Sequence, residues 1–377
     1  MEKNIRQSNF ELMRITSMLF IILWHVIIHG QVYSKGTFLS KIIFEIILAF
    51  LSIHVNSYIL LTGFFQHKKN IKFSKILKIS NSIWFYSFLI IIIFKYFNLA
   101  SISNLEIFRS ILPIPLQEYW FMSSYLILYT ISPILNIVIN NSDYIKLKKI
   151  IILLFLLFSV LPYLTGQRFY NVHGGYYIIN FIFLYLTGAY LNKYYIESKK
   201  ENFKIKSRNA LILILIIFYC IFCFSNFLVR RFSSELLYVN SEIIREISNN
   251  FYSEFFNYSN PLIICASICY FLIFSNLKIS NKLLNKISSL TFGVYLIHDN
   301  VYVRNFLYNK IGFNKEIYRI KSLFYIFMIS ILIFIVCTII EFLRQKLFKF
   351  IYNRKISCKF RKWYRSYIDS LGIHINW

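Results

Sequence analysis

Charged residues are scarce in this chain. Asp, Glu, Lys and Arg make up 15% of its 377 residues, while hydrophobic residues make up 57%. A soluble protein of this length would need more polar surface, so this composition excludes an ordinary soluble globular protein. The chain also lacks an internal repeat and a hydrophilic domain, and its mean hydropathy is +0.56. We therefore predict an all-α, polytopic protein whose main partner is the lipid bilayer.

Acidic residues are especially few. The chain has 16 Asp and Glu against 42 Lys and Arg, which gives a formal net charge of +26. Such a charge would suit a nucleic-acid partner if the cations formed one basic domain. They lie instead in short loops between apolar runs and in the segment 346–377. The distribution predicts no nucleic-acid partner.

Ten apolar runs are long enough to be membrane-spanning helices, so both termini should lie on one side. On that side lie 29 of the 42 Lys and Arg residues, and the positive-inside rule then places both termini in the cytoplasm. We predict a multi-pass protein of the plasma or inner membrane, with an integral-membrane domain over 1–345 and a basic cytoplasmic tail over 346–377. The runs cover about 10–30, 42–65, 81–98, 119–139, 149–165, 176–192, 209–229, 261–276, 288–303 and 322–342.

Several catalytic signatures are missing. No G-x-S-x-G nucleophile elbow occurs, which argues against a serine-hydrolase mechanism. Cys220 and Cys223 have a metal-like spacing, but they lie in an apolar run without charged neighbours and are best read as packing residues. His25 and His29 are spaced i, i+4, but the Glu of a metalloprotease helix is absent. We predict no metal site.

The first apolar run carries an unusual polar stripe. Glu11, Arg14, His25 and His29 fall within an arc of roughly 60° at 100° per residue. The remaining face is mainly Leu, Ile, Met, Phe, Trp and Val. Ionisable groups inside a membrane helix are costly, so they indicate a functional site. The alternatives are a snorkelling anchor for Arg14 and a satisfied histidine within the helix bundle for His25.

Four motifs in order resemble the acyltransferase-3 family of integral-membrane acyltransferases. The first is Arg14, ten residues and then His25, within ELMRITSMLFIILWH. The second is the run from Val55 that ends in Thr-Gly-Phe-Phe at 62–65. The third runs from Tyr-Trp-Phe at 119–121 to Ser-Pro-Ile-Leu-Asn at 132–136. The fourth is SLTFGVYLIH at 289–298.

The resemblance implies an O-acyltransferase that moves an acetyl group from acetyl-CoA to a hydroxyl of a cell-surface saccharide or its lipid-linked precursor. It implies no permanently bound cofactor, since acetyl-CoA is a substrate. His25 would be the general base, because a histidine pKa lies near neutrality. Arg14 would act with it, binding the donor's phosphates through its planar fork. Lys68 and Lys69 stand where the family often has an Arg-x-x-Arg pair, and they would also bind the donor, although simple topology explains these lysines equally well.

We expect four further residues to bind the acceptor: His29, Glu118, Trp120 and His298. Glu118 could orient His25 or bind sugar hydroxyls, or it could be an interfacial residue. The segment 230–260 combines aromatic and acidic residues, which suits sugar recognition but also an amphipathic segment on the membrane. A flippase or other transporter and a saccharide polymerase remain alternative functions. A transporter should show paired halves with broken helices, and the sequence shows none.

Overall fold

The computed structural model describes residues 7–32, 37–166, 173–196, 208–310 and 322–353. Within these ranges the regular structure is helical and contains no strand, which confirms the all-α class. The helices, numbered in chain order, are α1 (Ser8–His29), α2 (Phe38–Leu51), α3 (His54–Gln66), α4 (Phe73–Tyr96), α5 (Asn104–Ile111), α6 (Trp120–Asn140), α7 (Tyr144–Phe155), α8 (Leu161–Thr165), α9 (Ile178–Tyr190), α10 (Arg208–Leu236), α11 (Glu242–Ser253), α12 (Pro261–Ser275), α13 (Lys282–Ser288), α14 (Thr291–His298), α15 (Val301–Asn305) and α16 (Ser322–Asn353).

The described helices form a polytopic membrane bundle. Two of the ten predicted spans fold as shorter pieces: α9, which continues into a π-helical segment at Leu191–Ile196, and the series α13, α14 and α15. The number of crossings therefore remains a prediction. Eight helical stretches in the described ranges are long and apolar enough to cross a bilayer: Ser8–His29, Phe38–Gln66, Phe73–Tyr96, Trp120–Asn140, Tyr144–Thr165, Arg208–Leu236, Glu242–Ser275 and Leu323–Phe350.

The start of α1 and the end of α16 lie on the same side of the bundle. The Ser288 hydroxyl donates to Glu11 near the start of α1, at 2.5 Å. The Gln345 side-chain amide, near the end of α16, donates to the Ser289 carbonyl at 3.5 Å. We call this side the N-side and the opposite side the far side. Which compartment each side faces is still a prediction. Helix α16 runs through the predicted boundary at 345, and residues 354–377 lie outside the described ranges.

Helices α3 and α9 pack backbone to backbone. A Cβ atom built on Gly63 would lie 2.0 Å from the Tyr185 carbonyl oxygen, and one on Gly188 would lie 2.2 Å from the Leu60 carbonyl oxygen. Small residues that allow such close approach are typical of helix contacts in membranes. This contact fixes α3, which forms one wall of the cavity described below.

Two runs expected to be continuous helices are broken. The second run is interrupted at Ser52 and Ile53, between α2 and α3. The late run breaks after His298, where the Asn300 side-chain oxygen accepts from the Tyr302 N–H and starts α15. Neither break is predictable from the sequence, because neither is marked by proline or glycine. Each break places a polar residue at the wall of the same cavity.

Candidate active site

One cavity of about 450 Å³ lies among α1, α3, α4, α6 and α14. Its volume falls in the range of about 300–1,000 Å³ found for small-molecule sites. Glu11, Arg14 and His25, three of the four residues of the polar stripe, line it. The stripe on α1 therefore faces this cavity, as its helical spacing predicts. Arg14 and His25 are eleven residues apart, about 16 Å along the helix axis, so they mark opposite ends.

His25 lies beside a carboxylate toward the far-side end of the cavity. Its Nδ1 atom is 3.6 Å from Asp299 Oδ1, and both side chains line the cavity. Among the described residues this Nδ1 atom has no hydrogen-bond partner. Catalytic hydrogen bonds are often long without substrate and shorten in the reacting complex. An Asp at Nδ1 would hold the proton there and leave Nε2 free to act as a base.

Asp299 is held in place by neighbouring residues at the helix break. Arg304 Nη1 donates to Asp299 Oδ1 at 3.1 Å. The Asn300 amide donates to the Tyr119 hydroxyl at 2.9 Å, and that hydroxyl donates to the Leu296 carbonyl at 3.0 Å. These bonds join the break to the start of α6. The pairing of Asp299 with His25 is not predictable from the sequence, because no local pattern brings the two residues together.

Two other histidines approach His25 without lining the cavity. The His298 ring is 5.4 Å from the His25 ring, and its Nδ1 atom lies 2.7 Å from the Val294 carbonyl oxygen. Only an N–H can pair with that carbonyl, so Nδ1 carries a proton in this arrangement. The His29 ring is 5.0 Å from His25 and stacks on Tyr308 at 6.1 Å. Both predicted acceptor residues are thus neighbours of His25.

Cations gather at the N-side end of the cavity. Arg14 Nη1 pairs with Glu11 Oε1 at 2.7 Å, and Glu11 in turn accepts from Ser288. Lys75 and Lys78, from the start of α4, line the same end. The guanidinium and the two ammonium groups outnumber the Glu11 carboxylate, so this end of the cavity is positively charged and suits an anion.

The predicted donor lysines Lys68 and Lys69 do not line this cavity. They lie in the turn after α3, and Lys69 lines a second pocket on the same side. Lys75 and Lys78 are the lysines at the cavity itself. The sequence holds them in the same basic stretch, but their position facing the cavity depends on where α4 begins.

Aromatic residues form the far-side end of the cavity. The rings of Trp120 and Tyr258 stack at 5.9 Å, and Tyr176 packs against Trp120 at 4.5 Å. Tyr258 also meets the ring of His54, whose Nε2 lies 3.3 Å from the Tyr258 hydroxyl. Trp120, Tyr258 and His54 line the cavity, so the predicted acceptor residue Trp120 does lie at the site.

Glu118 lies away from His25. Its carboxylate accepts from the Ser87 hydroxyl at 2.5 Å, and it does not line the cavity. Loss of solvation raises the pKa of the Glu118 carboxyl, and the hydrogen bond from Ser87 opposes that rise. The carboxylate beside His25 is Asp299, so the structure gives no support to orientation of His25 by Glu118.

The segment 230–260 divides into two parts. Helix α11 exposes Ile243 and Ile247, as an amphipathic helix at a membrane surface does. The residues after it turn inward: Asn56 donates to the Tyr258 carbonyl at 2.9 Å, and Tyr258 reaches the cavity. Sugar recognition and membrane contact by this segment both remain predictions.

The described residues contain no group of three or more His, Cys, Asp or Glu side chains placed to hold a metal ion. The cavity offers a histidine with a carboxylate neighbour at one end, a positively charged group of side chains at the other, and an apolar middle. This fold and this cavity suit a membrane-embedded group-transfer enzyme.

Comparison with known protein families agrees with this class. The acyltransferase domain of the acyltransferase-3 family matches residues 7–342. The chain therefore belongs to that family and is a membrane acyltransferase. Neither the search of curated proteins nor that of solved structures gives a match.

Proposed function

We propose that this acyltransferase moves an acetyl group from acetyl-CoA to a hydroxyl group of a cell-surface saccharide or its lipid-linked precursor, in the plasma or inner membrane. The observation that supports it most is a single cavity with an anion site at one end and the His25–Asp299 pair at the other. An acyl-CoA donor has a matching arrangement, since its phosphates and its thioester carbonyl lie at opposite ends.

The donor would enter from the N-side, which the charge distribution predicts to be cytoplasmic. Its phosphates would meet Arg14, Lys75 and Lys78. The middle of the cavity is lined by apolar side chains that include Met18, Ile21 and Ile79, which suits an uncharged linker arm. The thioester would then reach the depth of His25.

The acceptor would enter from the far side, past the stacked rings of Trp120 and Tyr258. His25 Nε2 takes the proton of the acceptor hydroxyl while the hydroxyl oxygen attacks the thioester carbonyl carbon. The carbon–sulfur bond then breaks, the thiolate leaves with the bonding electrons, and the imidazolium returns the proton to it. The products are an ester and free CoA. Asp299 stabilises the imidazolium during the step.

Acetyl transfer by the purified protein in lipid vesicles tests this proposal. Labelled acetyl-CoA and a saccharide acceptor should give labelled ester with parent protein and almost none with His25→Ala. The mass of surface saccharides from a strain without the gene, compared with its parent, would identify the acyl group lost from each site. Saccharides of unchanged mass, together with no transfer in vitro, would contradict the proposal and reopen the transporter and polymerase alternatives.

A further inference from the structure

A second pocket lies on the N-side surface, separate from the catalytic cavity. It has a volume of about 400 Å³. Its lining brings the turn after α3 together with the last two turns of α6. The lining residues are Lys69, Asn70, Ile71, Pro133, Asn136, Ile137 and Asn140.

Tyr129 connects this pocket to the end of the cavity where Arg14, Lys75 and Lys78 lie. The backbone N–H of Lys72 donates to the Tyr129 hydroxyl at 2.9 Å, and Lys75 Nζ lies 4.2 Å from the centre of the Tyr129 ring. Lys75 lines the cavity, while the residues just before Lys72 line the pocket. Along α6, Asn136 follows Tyr129 by seven residues, about 10 Å. The basic stretch from Lys69 to Lys78 therefore borders both the pocket and the cavity.

The pocket combines one cation with three amide side chains. Amides carry both donors and acceptors, which match the edge of a purine base, as the pairing of Asn with adenine illustrates. Asn136 Oδ1 accepts from the Tyr185 hydroxyl at 2.7 Å, which leaves its NH₂ group as a donor. Ile71, Pro133 and Ile137 add apolar surface for a flat ring. The Lys69 ammonium group suits a phosphate.

We propose that this pocket binds the adenosine 3′-phosphate end of the CoA donor. The inference rests on the proposed function, because it takes acetyl-CoA as the donor. The order of groups along the two spaces follows the order along that molecule. His25 meets the thioester, the apolar middle holds the pantetheine arm, Arg14 with Lys75 and Lys78 binds the diphosphate, and Lys69 with the asparagines binds the nucleoside phosphate.

A truncated donor distinguishes binding at this pocket from binding in the catalytic cavity. Acetyl-CoA and S-acetyl-4′-phosphopantetheine, which lacks the adenosine phosphate, would be compared as donors. Lys69→Ala and Asn140→Ala should each raise the KM for acetyl-CoA about tenfold, as expected for loss of a hydrogen bond to a charged or base group. They should leave KM for the truncated donor and kcat for both unchanged. Asn141→Ala and Lys146→Ala, which lie outside the pocket lining, are matched controls. Equal effects on both donors, or no effect on either, would overturn the proposal.

Direct binding tests the pocket without turnover. Adenosine 3′,5′-bisphosphate should bind to purified parent protein in calorimetry and bind about tenfold more weakly to Lys69→Ala. If it binds in this way but no acyl-CoA supports transfer, the pocket assignment stands and the proposed reaction fails. If transfer occurs but the bisphosphate binds both proteins equally, the pocket assignment fails. Binding of inorganic phosphate or anionic lipid vesicles alone, with no preference for the bisphosphate, would indicate a general phosphate site and would also overturn it.

Discussion

His25 Nδ1 and Asp299 Oδ1 lie 3.6 Å apart, although one belongs to the first helix and the other to a break late in the chain. Asp299 lies at the break between α14 and α15, where Asn300 caps the start of α15. The break therefore positions Asp299 beside His25. Arg304 Nη1 pairs with the same Asp299 oxygen at 3.1 Å. The pair is therefore built by tertiary structure and not by local sequence.

Asp299→Asn should lower kcat strongly. The amide keeps the shape of the side chain but cannot stabilise an imidazolium, so we expect a loss of about 10²–10⁴-fold. KM for acetyl-CoA should change little, because the cation cluster lies at the other end of the cavity. Acetyl-transfer kinetics on matched amounts of protein check this. Glu118→Gln is the control, since that carboxylate bonds Ser87 outside the cavity. Equal losses in the two variants would remove Asp299 from its positioning role.

Arg14→Lys should weaken donor use more than folding. Lysine keeps the charge but loses the planar fork, so KM for acetyl-CoA should rise by about tenfold. Arg344→Lys is a matched control: Arg344 also pairs with a glutamate three residues earlier at 2.7 Å, but it does not line the cavity. Donor concentration dependence in vesicles is the measurement. Unchanged donor affinity and rate in Arg14→Lys would reduce Arg14 to a membrane anchor.

Gly188→Ala should destabilise the bundle. The new methyl group would overlap the Leu60 carbonyl oxygen and force α9 away from α3. Overpacking of this kind costs about 1–3 kcal/mol. Alanine is the better helix former, so intrinsic propensity alone predicts the opposite sign. Thermal unfolding in detergent decides between them. A melting temperature at or above that of the parent would mean that the two helices do not pack this closely.

The predicted orientation can be checked with reporter fusions. The distribution of Lys and Arg places the N-side in the cytoplasm. Fusions after Lys72 should therefore read cytoplasmic, and fusions near Asn104 and Glu242 should read external. An external signal after Lys72 would invert the path proposed for donor and acceptor.

Helical spacing and the order of the motifs were enough to predict much of this site. The polar stripe of α1 is a local property, so Arg14 and His25 could be assigned to one face from sequence. Asp299 could not be paired with His25, since the pairing depends on how α14 packs against α1. Lys75 and Lys78 face the cavity while Lys68 and Lys69 do not, and only the start of α4 decides this. Tyr258 reaches the site because its segment folds inward after an amphipathic helix, which composition alone does not indicate.

The two histidines of the first helix give the most direct measurement of the central claim. Acetyl transfer should be measured with matched amounts of His25→Ala and His29→Ala, after checking that both insert normally. His25→Ala should lose about 10²–10⁴-fold in kcat, as expected for loss of a general base. His29→Ala should lose much less, and high acceptor concentration should partly restore it, because His29 neighbours the base without lining the cavity. Near-parental turnover in His25→Ala, with His29→Ala inactive, would contradict the assignment of the base.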